Sequence, residues 1–325
     1  MDEIHIKAHA KINIALDVIG KRADGYHELK TIMQTLHLHD RVHLKKIFKP
    51  SYFKLICNKA GLPVDERNLA YRAADYMIKT FDINTGVFIN LEKNIPISAG
   101  LAGGSSDCAA VLIGMRDLFD LPVSTAELVK IGKQFGADVP YCVTGGTMLA
   151  EGIGEKLTPL PKFPELYVLL ATPSYAVSTA RTFAEFHMEH RTEYIDYEML
   201  INSLTNQDLA GICSQMKNTL ESITICKHNL IAELKDEMLI NGAIGSLMSG
   251  SGPTVFGLFK SIEARAVAAT AIAQKFPQVK SIIKTKIYNP ERRFPEFFCR
   301  LCHRSRMFRM CFGLRQCCHC QHQRF

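Results

Sequence analysis

The sequence predicts an α+β protein of two lobes. Three observations carry this. The first forty or so residues alternate apolar and polar side chains at period two, the pattern of strands and not of helices. From about Pro173 onward helical stretches alternate with short strands. At 325 residues the chain is long enough for two ordinary cores. A boundary near 155–165 gives domains at 1–160 and 161–290, with 291–325 as a tail.

Each element has its own signal. IHIKAHAKINIALDVIG (4–20) and ELKTIMQTLHLHDRVHLKKI (28–47) read as strands around a polar turn, KRADGYH. Asn68 caps a helix to Phe81, with Leu69, Ala73, Tyr76 and Met77 in one stripe. TGVFINLEKNIP is a strand ending at Pro96, and a helix follows from about Ser105 to Phe119. Ser124 and Glu127 form a capping box for the next helix. GGTMLA and LYVLLATP are strands on either side of the turn-rich EGIGEKLTPLPKFP. Helices are expected near Ser178, Asp196 and Lys227, then strand–glycine turn–strand over 242–259. A strong helix over 261–276 and a strand over 279–289 complete the order.

Composition narrows the function. Apolar residues make up 47% and charged residues 22%, and no apolar run reaches the roughly 18–20 residues of a membrane span. The N-terminus has neither a signal-peptide nor a transit-peptide pattern, so a cytoplasmic location is expected, with no membrane partner. Residues 292–325 hold eight Arg, no Lys and one acid, Glu296, and so carry the whole net charge of +7. The remaining body is neutral, which argues against a nucleic-acid partner.

PISAGLAGGSSDCAA suggests a phosphate cradle but lacks the Lys of a Walker A loop and the spacing of a dinucleotide fingerprint. Its anion site would run from Pro96 to Ser106, that is Pro96, Ile97, Ser98, Ala99, Gly100, Leu101, Ala102, Gly103, Gly104, Ser105 and Ser106. Gly100, Gly103 and Gly104 let the backbone approach an anion, and the helix after them points N–H groups and its positive dipole end at it. Ser105 and Ser106 add hydroxyls. The competing reading is a turn that simply lets a helix pack close to a sheet. A second glycine turn, Gly250–Ser251–Gly252 in MSGSGPTVFGLF, could face the first across an anionic ligand, or be a hairpin turn alone. Lys11 and Asn13 share one face of the first strand, opposite Ile12, Ile14 and Leu16, and Lys11 by itself reads as a solvated edge charge. Asp138, in GADVPYC, could be nothing more than a turn residue ahead of Pro140.

Taken together, the Lys/Asn strand, the P-x-x-x-G-L-x-G-G-S-S loop, the mid-chain Asp and the late S-G-S-G-P-T turn resemble the GHMP kinase superfamily over roughly residues 4–290. The D-G-Y-H turn at Asp24–His27 and G-A-D-V-P are most similar to the branch that phosphorylates a cytidine diphosphate-linked sugar alcohol, 4-diphosphocytidyl-2-C-methyl-D-erythritol. The resemblance implies a ribosomal protein S5 domain 2-like N-terminal lobe and a ferredoxin-like C-terminal lobe. It implies ATP, accompanied by Mg2+, as phosphoryl donor to the 2-hydroxyl, in the non-mevalonate isoprenoid precursor pathway. Asp138 would be the general base and Lys11 its cationic partner at the transferred phosphoryl, with no metal ligands fixed by the sequence. Tyr26 would stack on the cytosine, His27 would read its polar edge, and Thr179 and Phe183 would close the opposite side, with Asn13 beside the substrate. Homoserine or mevalonate kinase activity is the alternative within the superfamily. A regulatory nucleotide-binder that had lost catalysis would be expected to lack Lys11 or Asp138. A monomer or homodimer is expected.

The tail departs from this pattern. The body has 23 Lys to 8 Arg, and six of the eleven Cys fall between Cys299 and Cys320. Cys299-x-x-Cys302 and Cys317, Cys318 and Cys320 could chelate zinc, but there is no strand or helix pattern for such a site to cap. A disordered extension or the product of a shifted reading frame is the expectation.

Overall fold

The computed structural model describes residues 1–50, 52–190 and 194–290. The readings made of the 291–325 tail, zinc chelation included, lie outside the described residues.

Strands β1 (Glu3–Lys21), β2 (His27–Ile47), β3 (Phe53–Cys57), β4 (Gly86–Glu92), β5 (Thr147–Gly152) and β6 (Lys156–Pro159) form one mixed sheet. Its spine is β2. Strand β1 runs antiparallel along it, while β4 pairs with residues 41–47 and β5 with residues 29–34. β3 lies parallel to β4. Helices α1 (Leu69–Thr80), α2 (Gly103–Phe119), α3 (Thr125–Gly132) and α4 (Val139–Thr144) belong to this half of the chain. The second sheet is antiparallel: β7 (Tyr167–Pro173), β8 (Gly245–Met248), β9 (Val255–Phe259) and β10 (Val279–Lys286) in the order β10–β7–β9–β8. Helices α5 (Thr179–Glu185), α6 (Tyr197–Thr205), α7 (Leu209–Ser214), α8 (Glu221–Lys227), α9 (Leu230–Ile240) and α10 (Ile262–Lys275) accompany it. Among the described residues, no helix is long and apolar enough to cross a membrane.

The cap chemistry written in the sequence is used. Asn68 accepts from the Ala70 amide, Ser124 and Glu127 close a capping box, and Ser178 and Asp196 cap α5 and α6. Three boundaries differ from the sequence expectation. β4 stops at Glu92, not Pro96, because Lys93 turns inward to a buried ion cluster. Helix α2 begins at Gly103, inside the glycine loop, two residues before Ser105. The 136–142 turn contains α4, a single short helix with Pro140 in its first turn, where a missing amide hydrogen costs nothing. β3 and β6 are strands that the sequence did not signal; the helix expected to begin near Lys227 is α9, while α7 and α8 before it were not signalled.

One apolar cluster joins the first sheet to its helices through Val42, Leu44, Met77, Ile89 and Val111. Another takes Ile12, Ile14, Ile32 and Leu36 from the first sheet and Val168, Leu170, Phe256 and Leu258 from the second. Main-chain bonds cross between the halves as well. The Leu16 amide donates to the Lys217 carbonyl at 2.9 Å, and the Tyr288 amide to the Thr35 carbonyl at 3.0 Å. Both faces of β1 are therefore covered around residue 11, which fixes where its polar side chains must find partners.

A shared core predicts shared unfolding. Ile14→Ala should cost about 2–5 kcal/mol. Urea denaturation followed by far-ultraviolet and tyrosine near-ultraviolet circular dichroism should show both signals moving together to a lower midpoint.

Candidate active site

The site grows from β1. Lys11 is 5% exposed and Asn13 2%, so neither is the solvated edge residue that the alternation alone suggests. A buried ammonium needs partners. Lys11 Nζ donates to Asn13 Oδ1 at 2.7 Å and lies 3.8 Å from Asp138 Oδ2. Asn13 Nδ2 donates in turn to Thr31 Oγ1 at 2.9 Å, and Thr31 donates to the Ala15 carbonyl at 2.6 Å. This relay fixes the orientation of the Asn13 amide and hence the position of the Lys11 head.

Asp138 stands at the N-cap position of α4, but its side chain makes no capping bond. It is 35% exposed and faces Lys11 across the cleft, so it is more than a turn residue. Three residues on, buried Tyr141 holds this helix to β2. Its hydroxyl donates to the Gly146 carbonyl at 2.7 Å and shares a hydrogen bond with Thr35 Oγ1 at 2.8 Å. Thr35 Oγ1 also accepts from the Gly146 amide at 2.8 Å. Tyr141 and Thr35 are positioning residues that no motif or spacing singles out.

The loop from Pro96 to Ser106 is pinned by its apolar members and open at its polar ones. Ala99 and Leu101 are buried in the core shared by both sheets, and the Leu101 carbonyl accepts from the Lys11 amide at 3.2 Å. Ala102, the N-cap of α2, offers no side-chain cap, and the helix has no acid in its first turn. The first N–H groups and the positive end of a 17-residue helix therefore face the cleft. The glycines have different tasks. Gly100 has φ +75°, and a Cβ there would meet the Ser249 carbonyl at 2.2 Å. A Cβ on Gly103 would press on Ile95 at 3.1 Å, whereas one on Gly104 would meet nothing within 4 Å. Ser105 lines the cleft, but Ser106 is buried and donates to the His9 carbonyl at 2.7 Å. Ser106 thus anchors α2 to β1 and is not the hydroxyl donor to an anion that its place in the loop suggested.

Below the loop lies a cluster that the sequence did not signal. Lys93 Nζ bonds Asp107 at 2.5 Å and also bonds Asp40, and all three residues are buried. Asp40 further accepts from the amides of Asn94 (2.5 Å) and Ile95 (2.8 Å), the residues that lead into the loop. Burial outweighs the Lys93 charge and, with Asp40 adding to it, lifts the Asp107 carboxyl to about 7. The two carboxylates overcome the effect of burial on Lys93 and raise its basicity.

The second glycine turn does not stand across the ligand from the first. It abuts it: Ser249 Oγ donates to the Gly100 carbonyl at 2.9 Å. Gly250 has φ +59° and Gly252 φ +87°, and Asn218 Nδ2 holds the turn through the carbonyls of Met248 and Gly250. Ser251 Oγ and Thr179 Oγ1 are 2.8 Å apart, joining the turn to the start of α5.

One cleft of about 520 Å³ gathers Lys11, Asn13, Asp138, the loop through Ser105, Gly250, Ser251, Thr179 and Phe183. Ser106, Gly252, Tyr26 and His27 do not line it. The Phe183 ring packs on His27 at 5.4 Å, so His27 sits one ring behind the wall, and burial followed by the Lys21 charge lowers the basicity of its imidazole. Tyr26 is 61% exposed at the tip of the β1–β2 hairpin, where Asp24 accepts its amide. At the far end the walls are Leu62, Pro63, Leu69 and Leu91. Among the described residues, one cluster has the reach of a metal site, Glu3, His5 and His43, and it does not line the cleft.

A glycine loop that opens a helix, beside a buried Lys and a free carboxylate on a two-sheet α+β scaffold, is the arrangement of the GHMP kinases. The sequence profile of the GHMP kinases N terminal domain matches residues 68–146, and that of the GHMP kinases C terminal region matches residues 200–278. A crystal structure titled 4-(cytidine 5'-diphospho)-2C-methyl-D-erythritol kinase superposes with a TM-score of 0.75 at 30% identity, covering 88% of this chain and 100% of that one. A homoserine kinase from Cytophaga hutchinsonii shares the fold, with a TM-score of 0.68 at 21% identity, covering 89% of this chain and 95% of that one. Over 261 residues the chain is 48% identical to the 4-diphosphocytidyl-2-C-methyl-D-erythritol kinase of Acetivibrio thermocellus, covering 80% of this chain and 92% of that protein. Its identity to the enzyme of the same name from Clostridium beijerinckii is 47%, over 84% of this chain and 97% of that protein. The chain belongs to the 4-diphosphocytidyl-2-C-methyl-D-erythritol kinase family.

Two predictions follow from the supports of the site. Tyr141→Phe leaves Thr35 and Gly146 short of a partner, at about 1–3 kcal/mol of stability. Because it loosens the helix that carries Asp138, kcat should fall about ten- to a hundred-fold with little change in the KM for ATP. For Asp107 the folded carboxyl holds its proton well above the unfolded one. Its stabilising contribution is complete at acid pH and is lost as pH rises through about 7. The drop in Tm between roughly pH 5.5 and pH 8 should be smaller in Asp107→Asn than in the parent.

Proposed function

We propose that the chain transfers the γ-phosphoryl group of ATP to the 2-hydroxyl of 4-diphosphocytidyl-2-C-methyl-D-erythritol. The observation that carries this is the convergence of Lys11 and Asp138, 3.8 Å apart, beside the anion loop in a single cleft. Backbone dipoles of the loop and of α2 hold the nucleotide phosphates, and the apolar end at Leu62, Pro63, Leu69 and Leu91 takes the nucleoside. The acceptor enters from the side of Thr179 and Phe183. Tyr26, on the exposed tip of the hairpin rather than in the wall, closes on the cytosine once the substrate is present.

Asp138 takes the proton of the attacking hydroxyl as its oxygen bonds the γ-phosphorus and the bond to the ADP oxygen breaks. Its freedom from capping leaves both carboxylate oxygens available for that task. Lys11 keeps a positive charge beside the in-flight phosphoryl, whose transfer depends on positioning and charge stabilisation more than on covalent help. Asp138 and Ser105 present hard oxygen donors beside the loop, the type that magnesium takes. Magnesium arriving with the nucleotide would be held by oxygens of this kind and would supply positive charge against the phosphates.

The test is an ADP-release assay with ATP, magnesium and 4-diphosphocytidyl-2-C-methyl-D-erythritol, run beside homoserine and mevalonate. Turnover confined to the cytidine compound is the expected result, and preference for either other alcohol would refute the assignment. Asp138→Asn should fold and bind ATP but turn over at least ~10²-fold more slowly, the low end for a lost base. Chains ending at Pro290 should retain the full rate, since every residue of the cleft precedes that point.

A further inference from the structure

Beyond the cleft, the molecule has a second cavity with a different character. The β1–β2 ribbon packs Ile6, Ala8, Val42 and Leu44 against the helices and turns its other face outward. On that outer face Lys7 stands opposite Arg41 and His9 opposite His39. Where the ribbon meets β10, a cavity of about 480 Å³ opens that shares no lining residue with the nucleotide cleft. Its charged walls are His37, His39 and Arg41 from β2, Arg265 from α10, and Lys284 and Lys286 from β10.

The balance of charge here is unlike that of the body as a whole, which sums to zero. Four permanent cations face one carboxylate, Glu92, which lies 3.4 Å from Arg41. Arg265 is braced: its Nη1 donates to the Thr285 carbonyl at 2.5 Å, and its guanidinium lies 5.2 Å from the centre of the Tyr167 ring. Lys284 and Lys286, two apart on a strand, project to one side. The charge of Lys286 reaches His37. Burial first, then Lys286, His39 and Lys7, hold His37 below its ordinary value. Burial, against a raising bond to the Leu36 carbonyl and with help from His39, His37 and Lys7, brings His9 down to about 4. Uncompensated positive charge in a concave wall is what an anion would relieve.

We propose that this cavity is a second anion site, separate from the nucleotide cleft, which takes a small molecule carrying a diphosphate group. The excess of three permanent positive charges matches a diphosphate, and two Arg forks supply the geometry for phosphate oxygens. The volume falls in the small-molecule range of about 300–1,000 Å³. Nucleic acid fits less well, because Tyr167, the one Phe, Tyr or Trp side chain in the wall, is already covered by Arg265. The site also has a structural address. His39 and Arg41 flank Asp40, and Glu92 and Asn94 flank Lys93, so its occupant sits behind the ion cluster that supports the phosphate loop.

The experiment fills the cleft of the full chain with a non-hydrolysable ATP analogue, with magnesium equimolar to the analogue, and titrates inorganic diphosphate and methyl diphosphate by calorimetry. One saturable site that persists at physiological salt is expected for at least one of them. Binding of both marks a site for the diphosphate group itself, and binding of the ester alone marks an organic ligand. The double substitution Lys284→Glu, Lys286→Glu, at exposed positions, should weaken that binding about tenfold or more. Lys286→Gln should weaken it by less, and both variants should keep the parent kcat and KM for ATP when no diphosphate is added. No saturable binding with the cleft filled, binding lost at physiological salt, or equal binding by parent and variants would overturn the proposal.

Discussion

Three buried charges under the phosphate loop hold the architecture of this site. Lys93 is placed between Asp40 and Asp107, and these residues come from the end of β4, from β2 and from the first turns of α2. Removing such groups from water costs several kcal/mol per ion in general, and the cost is offset only where geometry and further hydrogen bonds are good. Here Asp40 uses its other oxygen on the amides of Asn94 and Ile95. The outcome is a fixed junction of sheet, helix and loop, with the loop's first residues bonded to a carboxylate that cannot move without exposing an unpaired charge. The junction has two acids and one base, and burial, which outweighs the Lys93 charge and is reinforced by Asp40, is the reason Asp107 keeps its proton toward neutral pH.

From that junction the rest of the site is a sequence of short-range dependencies. The loop leaves Ile95, buries Ala99 and Leu101, and hands the Leu101 carbonyl to the amide of Lys11. Gly100 then meets Ser249 so closely that no side chain fits between them. The second turn is thereby set, and it reaches α5 through Ser251 and Thr179. Donors placed in this way, by backbone contacts and a shared core, need no rearrangement when charge develops, which is where electrostatic catalysis gains most.

Much of this could be read from the chain, and the failures share a cause. Alternation located β1 and β2, cap residues located the helix starts at Asn68 and Ser124, helices were expected near Ser178 and Asp196, and the glycine patterns located both turns. Period two told which side chains share a face of β1. It could not tell that the polar face would also be covered, since Leu101 and Asp138 arrive there from far along the chain. Ser105 and Ser106 look equivalent in sequence, and only the turn of α2 sends one to the cleft and the other to His9. Asp40, Lys93 and Asp107 have no spacing that links them. Asp138 and Tyr141 are neighbours in sequence, yet the partner that positions both, Thr35, is 106 residues from Tyr141.

The absence of a lysine within the loop then has a physical reading. Three cations line the cleft, and they differ in how firmly they are held. Arg67 is paired with its neighbour Asp65 at 2.7 Å, and Lys93 is shared between two buried carboxylates. Lys11 has one neutral hydrogen-bond partner and a carboxylate at 3.8 Å, beyond hydrogen-bonding distance. It alone among the three is close enough to Asp138 to stabilise its charge and loose enough to answer a new negative charge nearby. In the reaction proposed above, Lys11 on the neighbouring strand opposite Asp138 gains interaction as the phosphoryl moves toward the acceptor, and such a gain over the bound state is what accelerates a reaction.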